Sequence, residues 1–205
     1  VKDKNGDVLK EIPATGMSFA GTIQGEGKLA GVPSLFIRLS SCNLRCIWQL
    51  PDGSYSKCDT PYASFDAKGL NQLDINEIID IVRHNLGPIR HVVLTGGEPL
   101  LQKAPLTVLA SRLKQLFNLH LTIETNGTLY DVKLAEQIDL FSISPKLLNS
   151  VPNEAKLRAL GLQPSGPLSF HGEKRLNLSA LQSYIDLCHN TSKELQLKFV
   201  VGCPE

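Results

Sequence analysis

The sequence has almost no excess of charge of either sign. Its 205 residues include 21 Lys and Arg against 20 Asp and Glu, which gives a net charge of +1. This balance argues against a broad nucleic-acid or anionic-membrane interface, because both require clustered positive charge. The charge balance therefore favours a small molecule as the partner.

Long apolar runs, a secretory signal, internal repeats and low-complexity tracts are also missing. No apolar run approaches the length that spans a bilayer, so we expect a cytoplasmic protein with no membrane contact. Hydrophobic residues at 42% and charged residues at 20% are typical of an ordinary globular protein. We predict one domain over residues 1–205. The first residue is valine, which leaves open how much chain precedes it.

Cysteine is scarce, and three of the five cysteines stand in one polar loop. Cys42, Cys46 and Cys58 follow an apolar segment and have Asn, Arg, Asp, Gly, Ser and Lys as neighbours. Such neighbours argue against a place in the core. A disulfide is a poor fit as well, because the chain shows no secretory signal and three nearby thiols cannot all pair. The loop is therefore better suited to holding metal.

Two kinds of metal site fit three cysteines. Four thiolates normally complete an iron-sulfur cluster, so three leave one iron free to bind a small molecule, which indicates a catalytic cluster. A zinc ion with His, Asp or water as its fourth ligand is the alternative. The residues alone leave both interpretations open.

Strands and helices alternate along the chain. The pattern predicts strands at 34–40, 91–94, 119–123, 139–143 and 195–201, and helices at 74–86, 105–117, 132–137, 153–160 and 178–189. This alternation is typical of an α/β fold with a parallel sheet or barrel. Catalytic loops of such folds leave the carboxyl ends of the strands. We therefore expect the cysteine loop and segments 95–99, 124–127 and 144–146 to converge on one rim.

Two side-chain patterns give more local predictions. Strand 34–40 directs its aliphatic residues to one face and Arg38 to the other, toward the inside of the sheet or barrel. A guanidinium there needs an anion, either a substrate carboxylate or an internal one, so we expect Arg38 to be paired. In helix 178–189, the recurrence of Leu178, Leu181, Ile185 and Cys188 predicts a buried face that includes Cys188.

The cysteine loop resembles the signature of the radical S-adenosylmethionine (SAM) enzymes. The gap of three between Cys42 and Cys46 matches that signature, whereas residues 49–57 are inserted before Cys58. The wider motif set, over roughly residues 17–201, resembles the 7-carboxy-7-deazaguanine synthase family. Its members here are Ile23-Gln24-Gly25-Glu26-Gly27, Gly31, Arg38, Cys42, Cys46, Cys58-Asp59-Thr60, Thr95-Gly96-Gly97-Glu98-Pro99, Glu124-Thr125-Asn126-Gly127 and Ser144-Pro145-Lys146.

The resemblance implies a fold, a reaction and a set of site residues. The fold would be a reduced, incomplete (β/α) barrel. The reaction would be the lyase conversion of 6-carboxy-5,6,7,8-tetrahydropterin to 7-carboxy-7-deazaguanine with loss of ammonia, in queuosine and 7-deazapurine biosynthesis. Cys42, Cys46 and Cys58 would ligate a 4Fe-4S cluster, and Thr60 would bind Mg²⁺. SAM would contact Lys57, Cys58, Asp59, Gly97, Glu98, Glu124, Ser144, Pro145 and Lys146, and substrate would contact Ile23, Gln24, Gly25, Arg38 and Thr95.

Partners and alternatives complete the prediction. We expect an electron donor such as a flavodoxin, no direct contact with nucleic acid, and a homodimer that covers the open edge of the barrel. The insertion forms a small hairpin or a short helix and leaves the cluster intact. Structural roles stay open for Thr60 as a turn cap, Glu98 as a helix cap and Lys146 as a solvated charge. The competing functions are a glycyl-radical-activating enzyme and a non-catalytic zinc or electron-transfer domain.

Overall fold

The computed structural model describes residues 2–8, 21–65 and 71–201. The described strands are β1 (Thr22–Ile23), β2 (Pro33–Leu39), β3 (Ile47–Gln49), β4 (Tyr55–Lys57), β5 (His91–Gly96), β6 (His120–Thr125), β7 (Leu140–Ile143) and β8 (Glu194–Leu197). The described helices are α1 (Pro61–Ser64), α2 (Ile75–Asn85), α3 (Lys103–Phe117), α4 (Val132–Gln137), α5 (Glu154–Ala159), α6 (Pro167–Lys174) and α7 (Leu178–His189). The start of the motif resemblance at residue 17 falls outside these ranges.

Six of the described strands form one sheet in the order β1-β2-β5-β6-β7-β8. β1 is antiparallel to β2, and every later neighbour is parallel. Helices connect the parallel strands, and the sheet ends at β1 and β8 without closing on itself. This confirms the expected α/β fold, a reduced and incomplete (β/α) barrel. None of the described helices has both the length and the apolar character needed to cross a bilayer.

Helix α2 shows how closely local sequence can determine an element. Asp74 caps its first turn by accepting a hydrogen bond from the Glu77 amide at 2.9 Å, and the Glu77 carboxylate accepts one from the Asp74 amide at 2.9 Å. This reciprocal pair satisfies two amides that the helix leaves without partners. Ile79 and Val82 of the predicted stripe are buried against the sheet.

The buried face of α7 differs from the predicted one. Its bounds match the prediction, but Leu178 is 74% exposed and Ile185 is 44% exposed. Tyr184 is buried in their place, and its hydroxyl donates to the Leu129 carbonyl at 2.8 Å. A large ring with one bonded polar atom buries more surface than an isoleucine, so it decides which side of the helix faces the sheet. Cys188 is partly buried and packs against the core, as expected.

Two further elements depart from the sequence prediction. The sequence pattern misses α6, because Pro164, Gly166 and Pro167 resemble helix breakers. Pro167 instead begins the helix. At that position an amide hydrogen would have no carbonyl of the helix to bond, so proline loses no hydrogen bond there. β8 ends at Leu197 instead of residue 201, and the residues beyond it turn along the mouth of the barrel.

A buried histidine lies at the opposite end of the barrel from the strand-end loops. His91 Nδ1 is 2.6 Å from Ser34 Oγ, and its Nε2 is 2.7 Å from Thr122 Oγ1. Burial, assisted by the neighbouring His120, lowers the pKa of His91 to about 4. An unfolded histidine titrates near its ordinary value of 6.5, so the unfolded state takes up this proton first as the pH falls.

We expect the free energy of unfolding to fall as the pH decreases from about 6.5 to about 4. The contribution of His91 is fully present above the unfolded pKa and is lost through that window, by on the order of 2 kcal/mol. Urea unfolding at successive pH values measures it. The slope should be shallower in His91→Gln, while His84→Gln, which changes an exposed histidine, should keep the wild-type slope. Equal slopes in all three proteins would contradict the assignment.

Candidate active site

A cavity of about 470 Å³ opens at the carboxyl ends of the parallel strands. Most of the predicted site residues line it: Gln24, Gly25, Arg38, Cys42, Cys46, Cys58, Asp59, Thr60, Thr95, Gly97, Glu124, Ser144 and Lys146. Segments that are far apart in sequence therefore meet at one rim, as the strand pattern predicted. This follows from parallel pairing, which carries every strand end to the same side of the sheet.

The three loop cysteines are packed into the wall of this cavity. Cys46 is only 5% exposed and lies with Leu44 and Trp48 in a small apolar cluster, against which Cys42 and Cys58 pack. Burial raises the pKa of Cys42 to about 11 and that of Cys46 to about 12. These thiols are therefore protonated in the empty protein, and a bound metal group would have to displace their protons.

Three sulfurs in one cavity meet the requirements of the two kinds of metal site differently. Within the described ranges, no group of three or more His, Cys, Asp or Glu side chains is placed to hold a single metal ion. A zinc ion needs each sulfur about 2.3 Å from one central point. A 4Fe-4S cluster is larger and gives each cysteine a separate iron. Cys46 is buried, Cys42 and Cys58 are partly buried, and all three line one cavity, a set of donors that fits the cluster.

The insertion at 49–57 belongs to a β-hairpin. β3 and β4 pair antiparallel, with Ile47 opposite Lys57. Cys46 immediately precedes that pair and Cys58 immediately follows it, so the pairing brings the two cysteines side by side at the open end of the hairpin. Strand pairing thus replaces the closeness in sequence that the insertion removes.

A protein that lacks residues 49–57 should still assemble the cluster. Pairing holds the Cα atoms of Ile47 and Lys57 about 5.5 Å apart. After the deletion, Ile47 and Trp48 alone connect Cys46 to Cys58, and a connection of that length can span a comparable distance. We expect iron and sulfide contents equal to those of the wild type reconstituted in parallel. Iron content below half of the wild-type value would show that contacts of the hairpin itself hold the ligands.

Gly96 and Gly97 pack the end of β5 against the start of the cysteine loop. A Cβ at Gly96, where φ is +155°, would lie 2.1 Å from the Leu39 carbonyl oxygen, and one at Gly97 would lie 2.3 Å from that of Ser41. The Gly97 amide donates to the Leu39 carbonyl at 3.1 Å. Both glycines are therefore required by the neighbouring backbone.

Glu98 lies behind the cavity wall instead of in it. It is fully buried, and its carboxylate accepts hydrogen bonds from the Leu100 amide at 3.1 Å, the Asn126 amide at 2.8 Å and the Thr125 hydroxyl at 2.8 Å. Burial raises the pKa of Glu98, and the three donors oppose that shift. The side chain caps the 3-10 turn Pro99–Gln102 and ties the loop after β5 to the loop after β6.

Arg38 reaches the cavity from the face that the strand pattern assigned to it. Leu35, Ile37 and Leu39 face the core, as predicted. The predicted internal carboxylate is absent, since no ion pair of the described residues includes Arg38. Its guanidinium lies 5.9 Å from the centre of the Tyr62 ring. Arg38 is therefore placed to bind an anion that enters the cavity.

Glu124 is the centre of a polar network in the cavity. Its carboxylate accepts hydrogen bonds from the Thr95 hydroxyl at 2.8 Å and the Gln24 amide at 3.3 Å. Lys198 Nζ lies 3.5 Å from the same carboxylate and 2.9 Å from that of Glu26. Lys198 is a site residue that our sequence prediction missed, although inward alternation from Gln196 gives the signal for it.

Four predicted site residues do not line the cavity: Ile23, Lys57, Glu98 and Pro145. Ile23 is 53% exposed, and Lys57 Nζ lies 5.5 Å from the centre of the Phe65 ring. The cavity also includes residues that the motifs did not indicate as ligands: Glu26, Phe36, Leu44, Trp48, Ser64, Gly96, Thr125, Asn126, Ser142, Lys198, Phe199 and Val200.

Comparison with known proteins identifies the family. The Radical SAM superfamily model matches residues 37–149, more than half of the chain. The chain belongs to the radical SAM superfamily, whose members use a 4Fe-4S cluster and SAM.

Curated relatives share a narrower name. A 7-carboxy-7-deazaguanine synthase of Rhodopirellula baltica is 39% identical over 178 residues, which cover 87% of this chain and 58% of that protein. One of Halobacterium salinarum is 38% identical over 186 residues, which cover 89% of this chain and 62% of that protein. The chain thus spans about three fifths of the length of these relatives. The crystal structure of QueE from Escherichia coli is 21% identical, with coverage of 86% and 90% and a TM-score of 0.43, below the level that shows a shared fold.

Proposed function

We propose that this chain acts as a 7-carboxy-7-deazaguanine synthase. In this proposal, a radical SAM lyase converts 6-carboxy-5,6,7,8-tetrahydropterin to 7-carboxy-7-deazaguanine with loss of ammonia and so serves queuosine and 7-deazapurine biosynthesis. The observation that carries the proposal is the presence of Arg38, without a carboxylate partner among the described residues, in the same cavity as three cysteines. A carboxylated substrate bound there shares one cavity with the cofactors. The relatives of that name support the choice of substrate.

Different residues of the chain bind the cluster and the substrate. When bound, the reduced cluster and SAM supply a 5′-deoxyadenosyl radical that removes a hydrogen atom from the substrate. Cys42, Cys46 and Cys58 would hold the cluster, with one iron left for a ligand other than the protein. In the same cavity, Arg38 receives the substrate carboxylate, and Gln24 and Thr95, which both donate to Glu124, are available to the pterin ring.

Further SAM and metal contacts follow the motifs. Ser144 and Lys146 join on the wall of the cavity, where Lys146 Nζ donates to Ser144 Oγ at 2.8 Å and lies 5.9 Å from the centre of the Trp48 ring. We assign them, with Asp59 and Gly97, to SAM. We assign Thr60 to Mg²⁺, because that ion prefers hard oxygen ligands and the Thr60 hydroxyl lies in the cavity, 3.5 Å from Cys58 Sγ.

The partners in this proposal are an electron donor and a second copy of the chain. The cluster must receive one electron for each turnover, and a flavodoxin is a suitable source. The sheet edges at β1 and β8 are unpaired in the described structure, and a homodimer would cover an open edge.

A turnover assay tests the proposal. The protein is reconstituted anaerobically with iron and sulfide and then given SAM, dithionite, Mg²⁺ and 6-carboxytetrahydropterin, with Cys42→Ala as control. We expect the deazaguanine product by mass spectrometry from the wild type alone. Cleavage of SAM with the pterin untouched would refute the substrate and favour a protein target, as in glycyl-radical-activating enzymes. A protein that binds no cluster would favour the zinc or structural alternative.

Substitution of Arg38 separates substrate binding from cofactor chemistry. We expect Arg38→Gln to raise KM for the pterin by about 10- to 100-fold, because a charge-assisted hydrogen bond is worth about 1.5–3 kcal/mol. Reductive cleavage of SAM without substrate should stay at the wild-type rate. Arg158→Gln, on the exposed side of α5, is the matched control. An unchanged KM in Arg38→Gln would place the substrate carboxylate elsewhere.

A further inference from the structure

Lys156 is a buried cation behind the cysteine loop. It lies in α5, is 7% exposed, and directs its ammonium group to three backbone carbonyls: that of Ile47 at 2.7 Å, that of Asn149 at 2.5 Å and that of Val151 at 3.0 Å. None of the ion pairs found in residues 2–8, 21–65 and 71–201 includes it. The ammonium hydrogens are thus satisfied, whereas its full charge has no carboxylate partner.

The position of Lys156 relates this charge to the cluster ligands. Ile47, whose carbonyl it binds, directly follows Cys46 and is completely buried. Burial lowers the pKa of Lys156, and the acidic group that acts against this shift is the Cys46 thiol. An isolated charge in a low-dielectric interior is costly unless an opposite charge is near. A thiolate-bound cluster at Cys46 would supply a negative charge.

The other buried polar group behind the loop is neutral. His171 is completely buried, and its Nδ1 accepts a hydrogen bond from the Arg45 amide at 3.1 Å. Its Nε2 lies 3.0 Å from Ser150 Oγ. Burial, followed by the charges of Arg175, Lys156 and Lys146, lowers the pKa of His171 to about 4. His171 therefore fixes the loop without adding charge, whereas Lys156 places an ammonium group on the Ile47 carbonyl next to Cys46, and Arg45 donates to the Cys42 and Leu44 carbonyls from the loop itself.

We propose that Lys156 is a positioning residue that raises the reduction potential of the cluster held by Cys42, Cys46 and Cys58. One-electron reduction makes a thiolate-bound cluster more negative, and a fixed buried cation stabilises the reduced form more than the oxidised form. Its bond to the Ile47 carbonyl keeps that cation at a constant distance from Cys46. The inference rests on the cluster of the radical SAM family and not on the identity of the substrate.

The test is the midpoint potential of the reconstituted cluster, measured without SAM or pterin by following the EPR signal of the reduced form against redox dyes. Lys156→Met removes the charge and keeps the length of the side chain. We expect the ratio of reduced to oxidised cluster, at the wild-type midpoint potential, to fall at least tenfold, which corresponds to about 59 mV for one electron. Lys156→Arg keeps a cation and should remain close to the wild type. Lys133→Met, at an exposed lysine of α4, should be unchanged.

Several results would overturn the proposal. One is a Lys156→Met midpoint equal to that of the wild type, and another is an equal decrease in Lys156→Met and Lys156→Arg, which would indicate a packing role. If the methionine protein does not hold iron, Lys156→Gln serves instead, because its neutral amide can still donate to two of the carbonyls. Loss of the cluster from all three variants would also indicate packing. Failure of the pterin assay leaves this measurement intact, since no substrate enters it.

Discussion

A Cys46→Ala protein is expected to fold, to bind no 4Fe-4S cluster and to leave SAM uncleaved. In the proposed assignment Cys46 supplies one of three sulfurs, and the fourth cysteine among the described residues, Cys188, lies on α7 and packs against the core, away from the cavity. Two thiolates leave two irons without protein ligands. Iron analysis, iron-sulfur absorption and the yield of 5′-deoxyadenosine after dithionite should all fall to background.

The control for this result is Cys188→Ala, which makes the same chemical change away from the cavity. It should keep wild-type iron content and SAM cleavage and lose about 1 kcal/mol of stability at most, because only one partly buried sulfur is removed. Thermal unfolding of both apo proteins checks that neither substitution prevents folding. A Cys46→Ala protein with the full iron content would refute the assignment of the ligands.

Glu98→Ala is expected to lower the free energy of unfolding by about 3 kcal/mol, a large part of the 5–15 kcal/mol that is typical of a domain. The substitution leaves the Leu100 and Asn126 amides and the Thr125 hydroxyl without their acceptor in a dry interior. Those donors lie in the loops after β5 and β6, so SAM affinity should fall too. Urea unfolding measures the first effect and equilibrium binding the second.

Asp80→Asn is the matched control, since it neutralises an exposed carboxylate whose ion-pair partner among the described residues is Arg83. Exposed pairs are worth little, and we expect a change below about 0.5 kcal/mol. The loss of stability in Glu98→Gln should lie between the losses in Glu98→Ala and Asp80→Asn. The glutamine amide oxygen still accepts a hydrogen bond, while its NH₂ group faces another donor. A stable Glu98→Ala protein with weakened SAM binding alone would show that Glu98 acts on the cofactor directly and not as a brace.

Local sequence determined much of this fold because its signals are themselves local. The capping box of Asp74 and Glu77 predicted the start of α2, and the alternation in β2 predicted that Arg38 would face the cavity. The parallel pairing of the strands followed from alternating strands and helices. These features depend on a few neighbouring residues, which a reader of the sequence can see together.

The remaining features depend on contacts between distant residues. The buried face of α7 depends on the bond from Tyr184 to the Leu129 carbonyl, and periodicity alone favoured Ile185. The brace role of Glu98 requires the Asn126 amide, which comes from another strand end. Lysine side chains are usually exposed, and only the fold shows that Lys156 is buried. Motifs indicated which segments meet but not which side chain of each segment faces inward.

The hairpin that carries the insertion constrains how this loop can vary. Pairing fixes its open end, where Ile47 meets Lys57, while its turn lies away from the cysteines. If β3 and β4 each gain a residue at the turn end, the hairpin lengthens by one complete pair and both sulfurs keep their positions. A single residue added within β3 would reverse the facing of the strand and turn Trp48 away from the cavity. The hairpin can therefore change in length when both strands gain the same number of residues, but not when β3 alone gains one.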